Sequence, residues 1–363
     1  MASNRPTTED QETRTGDPAI ANSVATIGNS QQPDSTPEIK SANGSVKRPG
    51  DRVFEFLSTA SATLITVIIA AIGAFLIWRA VPSLNRNVDG WLGFFTYSGA
   101  WNTSNTEAMQ FGIPNLFAVT VLISVVALLI AMPIALGIAI FLSNYAPKRA
   151  VKPLGYLVDM LAAVPSIVYG LWGWQVLGPA LTGLYEWIHS WGGGFFLFAT
   201  YANSPSFATG RNILTGGIVL AVMILPVIAA TAREVFVQTP RGQIEAALAL
   251  GATRWETLIK VVLPAAGSGI STAAILGFSR VMGETMTVLM VSGGAAIIPR
   301  SFFQPVRPLT STIAAEMGEA AVGSTHYQAL FAIAMLLFTL TLIFNIAAEI
   351  LSRRYRLKLG LQR

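Results

Sequence analysis

The stretch FAVTVLISVVALLIAMPIALGIAIFL, residues 117–142, contains no charged side chain and a single proline, Pro133. Bilayer hydrocarbon is roughly 30 Å thick, and about 20 consecutive apolar residues in a helix cross it. The block is long enough to span a membrane, and it is not alone. Of 363 residues, 52% are hydrophobic and 12% charged, against roughly 25% charged in an ordinary soluble domain. So few charges cannot cover a soluble surface of this size.

Working outward, six candidate spans appear at approximately 56–78, 117–142, 154–177, 212–232, 265–291 and 329–351. The fold class that follows is all-α, a polytopic membrane protein with six transmembrane helices. The third span contains Pro165 and the fourth Pro226. Membrane helices tolerate proline where neighbouring groups satisfy the freed carbonyl, so each is expected to be one continuous helix with a kink. Residues 1 to about 50 are rich in Ser, Thr, Pro, Asn, Gln and Asp. Such a composition cannot bury enough apolar area to offset the entropy of ordering, and a disordered tail is expected. It is too long and too polar for the n-region of a signal peptide, so the first apolar block is read as a signal anchor.

Cysteine is absent and the only histidines are His189 and His326. Disulfides and thiol chemistry are excluded, and two scattered histidines make no metal site; neither metal nor cofactor is expected. The net charge of +5 is a matter of topology. Lys47, Arg48 and Arg52, then Lys148, Arg149 and Lys152, then Arg233, Arg241, Arg254 and Lys260, then Arg353 to Arg363 flank one set of span ends. Only Arg79, Arg86, Arg211, Arg300 and Arg307 flank the other. The richer set marks the cytoplasm, which places both termini there and explains the basic balance without nucleic acid. The opposite segments, roughly 80–115, 179–211 and 292–328, carry Trp91, Trp101, Trp187 and Trp191. These residues suit either a headgroup belt or a docking surface for an extracytoplasmic partner.

Between the fourth and fifth spans lies EAALALGATRWETLIKVVLP, Glu245 to Pro264. Strong helix formers precede Gly251, which ends that turn or admits a second chain. Trp255, Leu258 and Ile259 then recur at helical spacing, and Pro264 falls where a first helical turn loses little by lacking an N–H. The expectation is a pair of short helices with exposed apolar side chains. The segment resembles the EAA loop of ABC-transporter permeases: Glu245, Ala246 and Ala247, three residues, Gly251, nine residues, then Val261 in place of the usual Ile, and Leu263-Pro264. The resemblance implies a coupling helix that docks into a groove on an ATPase subunit. The chain has no Gly-Lys dipeptide and hence no phosphate-binding GxxxxGK[ST] loop. ATP hydrolysis must come from a separate polypeptide, and the chain reads as a transport subunit rather than an enzyme.

Within the fifth span stand Arg280 and Glu284. Arg280 lies about 16 residues past Pro264, hence about 24 Å into the bilayer. Four residues apart on one helix, the two are expected to share a face and neutralise each other. Either they form an ion pair that pins helix packing, or they line a transport path, the usual meaning of intramembrane charge. Arg280 offers planar donors to an oxyanion, and Glu284 suits an anion that still carries a proton. The run GFSRVMGETMTVLMVSGG, with AAVPSIVYGLWG from Ala162 and the segment from Met317 to Asn345, resembles phosphate permeases of the PstC type, where Arg and Glu at these positions are needed for transport. The PstA type usually reads GETAPL, and Met286 departs from it. The resemblance covers about 113–355. It implies a homologous PstA-type permease, a PstB-type ATPase dimer, a PstS-type phosphate-binding protein, inorganic phosphate as cargo, and the bacterial inner membrane as location. The resulting domain reading is a tail at 1–52, a first transmembrane helix and outer loop at 53–112, a permease core at 113–355 and a basic tail at 356–363. Alternatives are another oxyanion (phosphonate or sulfate), a phosphate-sensing scaffold, or a membrane hydrolase, against which the lack of a nucleophile or metal constellation argues. Asp159, Arg233, Glu234, Glu316 and Glu319 read as solvated or interfacial, and His326 receives no role.

Overall fold

The computed structural model describes residues 49–99, 101, 110–199, 209–295 and 300–358. Most of the tail expected at 1–52, and the end of the basic tail, lie outside the described residues. The chain falls into two units, 1–63 and 64–363; of the first, only the helical segment from Pro49 is described.

The helices are α1 (Pro49–Arg86), α2 (Gly90–Thr96), α3 (Pro114–Ile140), α4 (Lys148–Ala162), α5 (Ser166–Trp172), α6 (Gly178–Gly192), α7 (Ile213–Val237), α8 (Arg241–Ala249), α9 (Arg254–Thr257), α10 (Leu263–Met282), α11 (Met286–Val291), α12 (Leu309–Glu316) and α13 (Thr325–Lys358). Among the described residues there is no β-strand, only an isolated bridge between Gly293 and Val306. Five continuous helical rods are long and apolar enough to cross a membrane: Gly50–Arg86, Pro114–Tyr145, Ile213–Val237, Arg254–Met282 and Thr325–Leu351. A sixth is reached by counting a bent pair, Arg149–Ala162 with Ser166–Gly192.

That pair corrects the expectation for the third span. The two halves meet at 85° rather than forming one kinked helix. Pro165 is extended, with ψ 137°, and proline drives its predecessor out of the helical region as well. In a continuous helix Leu161 O would accept from residue 165, which has no N–H; the Tyr169 hydroxyl donates to it instead, at 2.8 Å. The fourth span behaves as expected, for α7 keeps Pro226 inside one helix. Pro179 and Pro264 are accommodated in a third way. Each follows a π-helical turn, Gly173–Leu177 and Leu258–Val262, in which Gly178 N donates to Gly173 O and Leu263 N to Leu258 O. The wider turn moves the preceding carbonyl away from the proline ring. Pro264 therefore sits inside a continuous rod, not at the start of a span.

The packing centre is the α3–α7 contact. Ala127, Ala131, Ala135 and Ala139 on α3 have no exposed surface and recur every four residues on one face. Small residues let helices approach closely in lipid, where the hydrophobic effect between helices is weak. On α7, a Cβ at Gly217 would overlap Val126 of α3. α10 packs the same way, a Cβ at Gly277 meeting Ile228 of α7 at 2.8 Å.

A second cluster joins Leu84, Phe94, Phe111, Leu309, Leu330 and Ile333. It supports a polar network that overturns the solvated reading of Glu316 and the absence of a role for His326. The Glu316 carboxylate accepts from Arg307 Nη1, from His326 Nε2 at 2.8 Å and from Trp101 Nε1 at 3.1 Å. Trp101 is thus tied into the protein by its indole N–H, whereas Trp187 and Trp191 remain exposed.

Three substitutions check this account through stability. Gly217→Val is expected to destabilise the chain by about 1–3 kcal/mol through overpacking, read as a lower midpoint in denaturant titration of the micelle-solubilised protein. Glu316→Ala removes the shared acceptor of Arg307, His326 and Trp101 from a position only 15% exposed and is expected to cost about 2 kcal/mol. Glu349→Ala, which removes a partner of Arg353 from a pair 75% and 61% exposed, is expected to cost below about 1 kcal/mol.

Candidate functional site

The segment from Glu245 to Pro264 folds as the expected short helices. α8 ends in a left-handed residue, Gly251 at φ 85°. Gly251 N donates to Leu248 O at 3.0 Å and Ala252 N to Ala247 O at 3.2 Å, the paired bonds that close a helix C-terminus through a left-handed glycine. A Cβ at Gly251 would meet nothing within 4 Å, so the backbone conformation, not crowding, calls for glycine. α9 starts on a capping box: Thr253 Oγ1 accepts from Glu256 N while Glu256 Oε2 accepts from Thr253 N. Beneath the loop, Ile244, Leu258 and Leu263 pack with Phe236 and Val262. Above it, Glu245, Ala246 and Pro264 are exposed, Ala247 is half-buried, and Leu250 and Trp255 stand 89% and 60% exposed. A groove of about 310 Å³ opens between Tyr145, Ile244, Leu248, Arg254 and Leu258.

Arg280 and Glu284 are not arranged as the sequence led us to expect. α10 stops at Met282, Gly283 to Thr285 are non-helical, and the chain resumes as α11. No ion pair joins the two residues among the described contacts. Glu284 is half-buried; its Oε1 accepts from the backbone N and the hydroxyl of Thr287, both at 3.3 Å, and its carbonyl accepts from Thr310 Oγ1 at 2.7 Å. Beside it lies a mostly apolar cavity of about 10 Å³ to which Thr120 and Ser124 also contribute, close to the room one water needs. Arg280, in the last turn of α10, is exposed and forms no hydrogen bond or ion pair among the described residues. The helix end beneath it favours a cation, so the charge is supported without being cancelled.

Three residues read separately in the sequence come together in space. Asp159 of α4 lines a cavity of about 520 Å³ with Thr231, Arg233, Glu234 and Val237 of α7. No signal in the linear sequence pairs them, because the contact depends on the bend at Pro165. Among the described residues no cluster of His, Asp or Glu has a metal-holding arrangement.

A polytopic helical bundle with broken intramembrane segments and an exposed amphipathic loop at one end defines a membrane transport permease subunit. The family described as binding-protein-dependent transport system inner membrane component matches residues 131–357, and the chain belongs to it. It is 44% identical over 306 residues to phosphate transport system permease protein PstC 2 of Mycobacterium tuberculosis, covering 83% of this chain and 91% of that one. It is also 44% identical to phosphate transport system permease protein PstC of Mycobacterium leprae over 282 residues, 77% of this chain and 85% of that one. A solved bacterial alginate ABC transporter, in complex with an alginate pentasaccharide-bound periplasmic protein, shares the fold at a TM-score of 0.53 and 12% identity. The match covers 85% of this chain and 97% of that chain.

Gly251→Ala is expected to cost about 1–2 kcal/mol by forcing an L-residue into the left-handed region. Hydrogen exchange at Ala252 N is the check: it should accelerate about tenfold, as 1.4 kcal/mol implies, with the amides of α7 unchanged.

Proposed function

We propose that the chain is the transmembrane permease subunit of an ATP-driven importer that moves inorganic phosphate into a bacterial cell. The observation that carries this is the relationship to the mycobacterial phosphate permeases, which runs through 83% of this chain and 91% of its relative. The site chemistry agrees with that cargo. A guanidinium inside a membrane stays charged and costs about 2.5–3.5 kcal/mol at a helix centre on an insertion scale. Arg280 carries that cost with no partner of its own among the described residues, which fits a position lining a watered cavity that receives an anion. The Glu284 carboxylate accepts a hydrogen bond from the O–H that phosphate still carries near neutral pH and sulfate lacks.

The exposed side of Arg280 becomes a cavity wall once a homologous second permease docks beside it. Glu245, Ala246, Ala247 and Gly251, with Leu263 and Pro264 inside the following rod, form the surface through which an ATPase pair drives the cavity from outward- to inward-facing. The exposed Leu250 and Trp255 supply the apolar contact. The ATPases are separate polypeptides, and a phosphate-binding protein delivers cargo on the opposite face. The bias of basic residues places the loop and both termini in the cytoplasm and the chain in the inner membrane.

Uptake of radiolabelled phosphate by vesicles holding the complete complex tests this reading. Arg280→Gln and Glu284→Gln are expected to reduce uptake at least about tenfold, while assembly and ATP hydrolysis persist. Loss of assembly would make the two residues a packing device. Uptake at the wild-type rate would remove them from the path.

A further inference from the structure

Two breaks in membrane-depth helices, at Ala163–Pro165 and at Gly283–Thr285, meet at one side chain. Thr287 has no exposed surface. Its hydroxyl lies 3.0 Å from Ser166 O, in the first turn of α5, and 3.3 Å from Glu284 Oε1. Its backbone N donates to the same carboxylate oxygen at 3.3 Å. α5 and α11 are in close contact here, since a Cβ at Gly170 would stand 3.1 Å from Thr287 Cα and 3.2 Å from Met290 Sδ.

We infer that Thr287 is a positioning residue: it orients the Glu284 carboxylate and links it to the broken third span. The inference rests on Glu284 lying in the phosphate path. A hydroxyl has one proton to donate and lone pairs to accept with, so Ser166 O and Glu284 Oε1 compete for it. When a phosphate O–H donates a hydrogen bond to the Glu284 carboxylate, that oxygen is occupied and the Thr287 O–H turns to Ser166 O. Without cargo, the carboxylate draws the hydroxyl to itself and the α5–α11 link loses a bond. The state of the site is thereby felt at the start of α5, whose preceding bend leads into α4 and its contact with Arg233. Valine matches the shape of threonine and lacks the hydroxyl; serine keeps the hydroxyl and lacks the methyl. The two substitutions therefore separate packing from hydrogen bonding.

The experiment uses the complete reconstituted complex, with KM and maximal rate of phosphate uptake and ATP hydrolysis measured together. Thr287→Val is expected to lower the maximal rate about fivefold, the worth of one hydrogen bond, with KM changed less. Thr287→Ser should stay within about twofold of wild type. In a Glu284→Gln background, Thr287→Val should leave ATP hydrolysis unchanged. Should Thr287→Val fail to assemble, Thr287→Ala replaces it under the same expectations. The inference is overturned if valine behaves as wild type, if serine is as damaging as valine, or if valine lowers hydrolysis by the same factor in both backgrounds. Loss of uptake in Glu284→Gln with normal uptake in Thr287→Val sinks this inference alone. Normal uptake in Glu284→Gln sinks the placement of Glu284 in the path as well.

Discussion

Hydrocarbon offers no hydrogen-bond partner to a backbone N–H or C=O, so every break in a membrane helix must be satisfied by the protein itself. That constraint organises this structure. At the bend before Ser166, the Leu161 carbonyl is met by the Tyr169 hydroxyl. At the break after Met282, Thr310 takes the Glu284 carbonyl and the Glu284 carboxylate caps Thr287 N. Where no side chain does this work, as at Pro179 and Pro264, the helix does not break but widens into a π turn. The difference between a bend and a continuous rod thus lies less in the proline than in whether a hydroxyl or carboxylate stands ready nearby.

Breaks of this kind are tolerable only on a rigid frame, and the α3–α7 pair supplies it. The alanines from Ala127 to Ala139 and the bare face of Gly217 bring backbones close enough for dispersion to act over a long contact, the interaction that lipid leaves available to helices. The periphery is built on the opposite plan. The apolar window of α1 is wholly unburied, and its exposed Ile, Leu and Phe side chains would be a liability in water but are at home in acyl chains. Toward the end of α1, Phe75 packs edge-on to Phe331 and Arg79 stacks over Tyr327 and Phe331, so that helix meets α13 through aromatic and cationic contacts as well as through small residues such as Gly73, which abuts Phe338.

The membrane class, the span positions and the short helices around Gly251 were legible because each rests on a local signal: a run of apolar residues, a helix-forming stretch, a glycine that closes a turn. What escaped was non-local. Periodicity treats 265–291 as one helix, and nothing in the order Gly283, Glu284, Thr285 announces that Thr287 and Thr310 will receive a broken backbone. Pro165 and Pro226 look alike in the sequence, yet only the first has a tyrosine four residues on, whose hydroxyl joins Val164 N at the Leu161 carbonyl. Glu316, His326, Arg307 and Trp101 are spread over more than two hundred positions, |i−j| reaching 215, and no local reading assembles them.

The break after Met282 also explains why two opposite charges four residues apart do not neutralise each other. On an uninterrupted helix, Arg280 and Glu284 would pair, and an incoming anion would have to displace the carboxylate before it met the guanidinium. Removing one partner of a desolvated pair costs about 3–5 kcal/mol, a large share of any binding energy. With the helix interrupted, each charge is supported separately. Arg280 sits at a helix C-terminus, where the aligned carbonyls favour a cation, and Glu284 is held by Thr287. The donors of Arg280 then face the outside of the chain, with no internal bond among the described residues to undo.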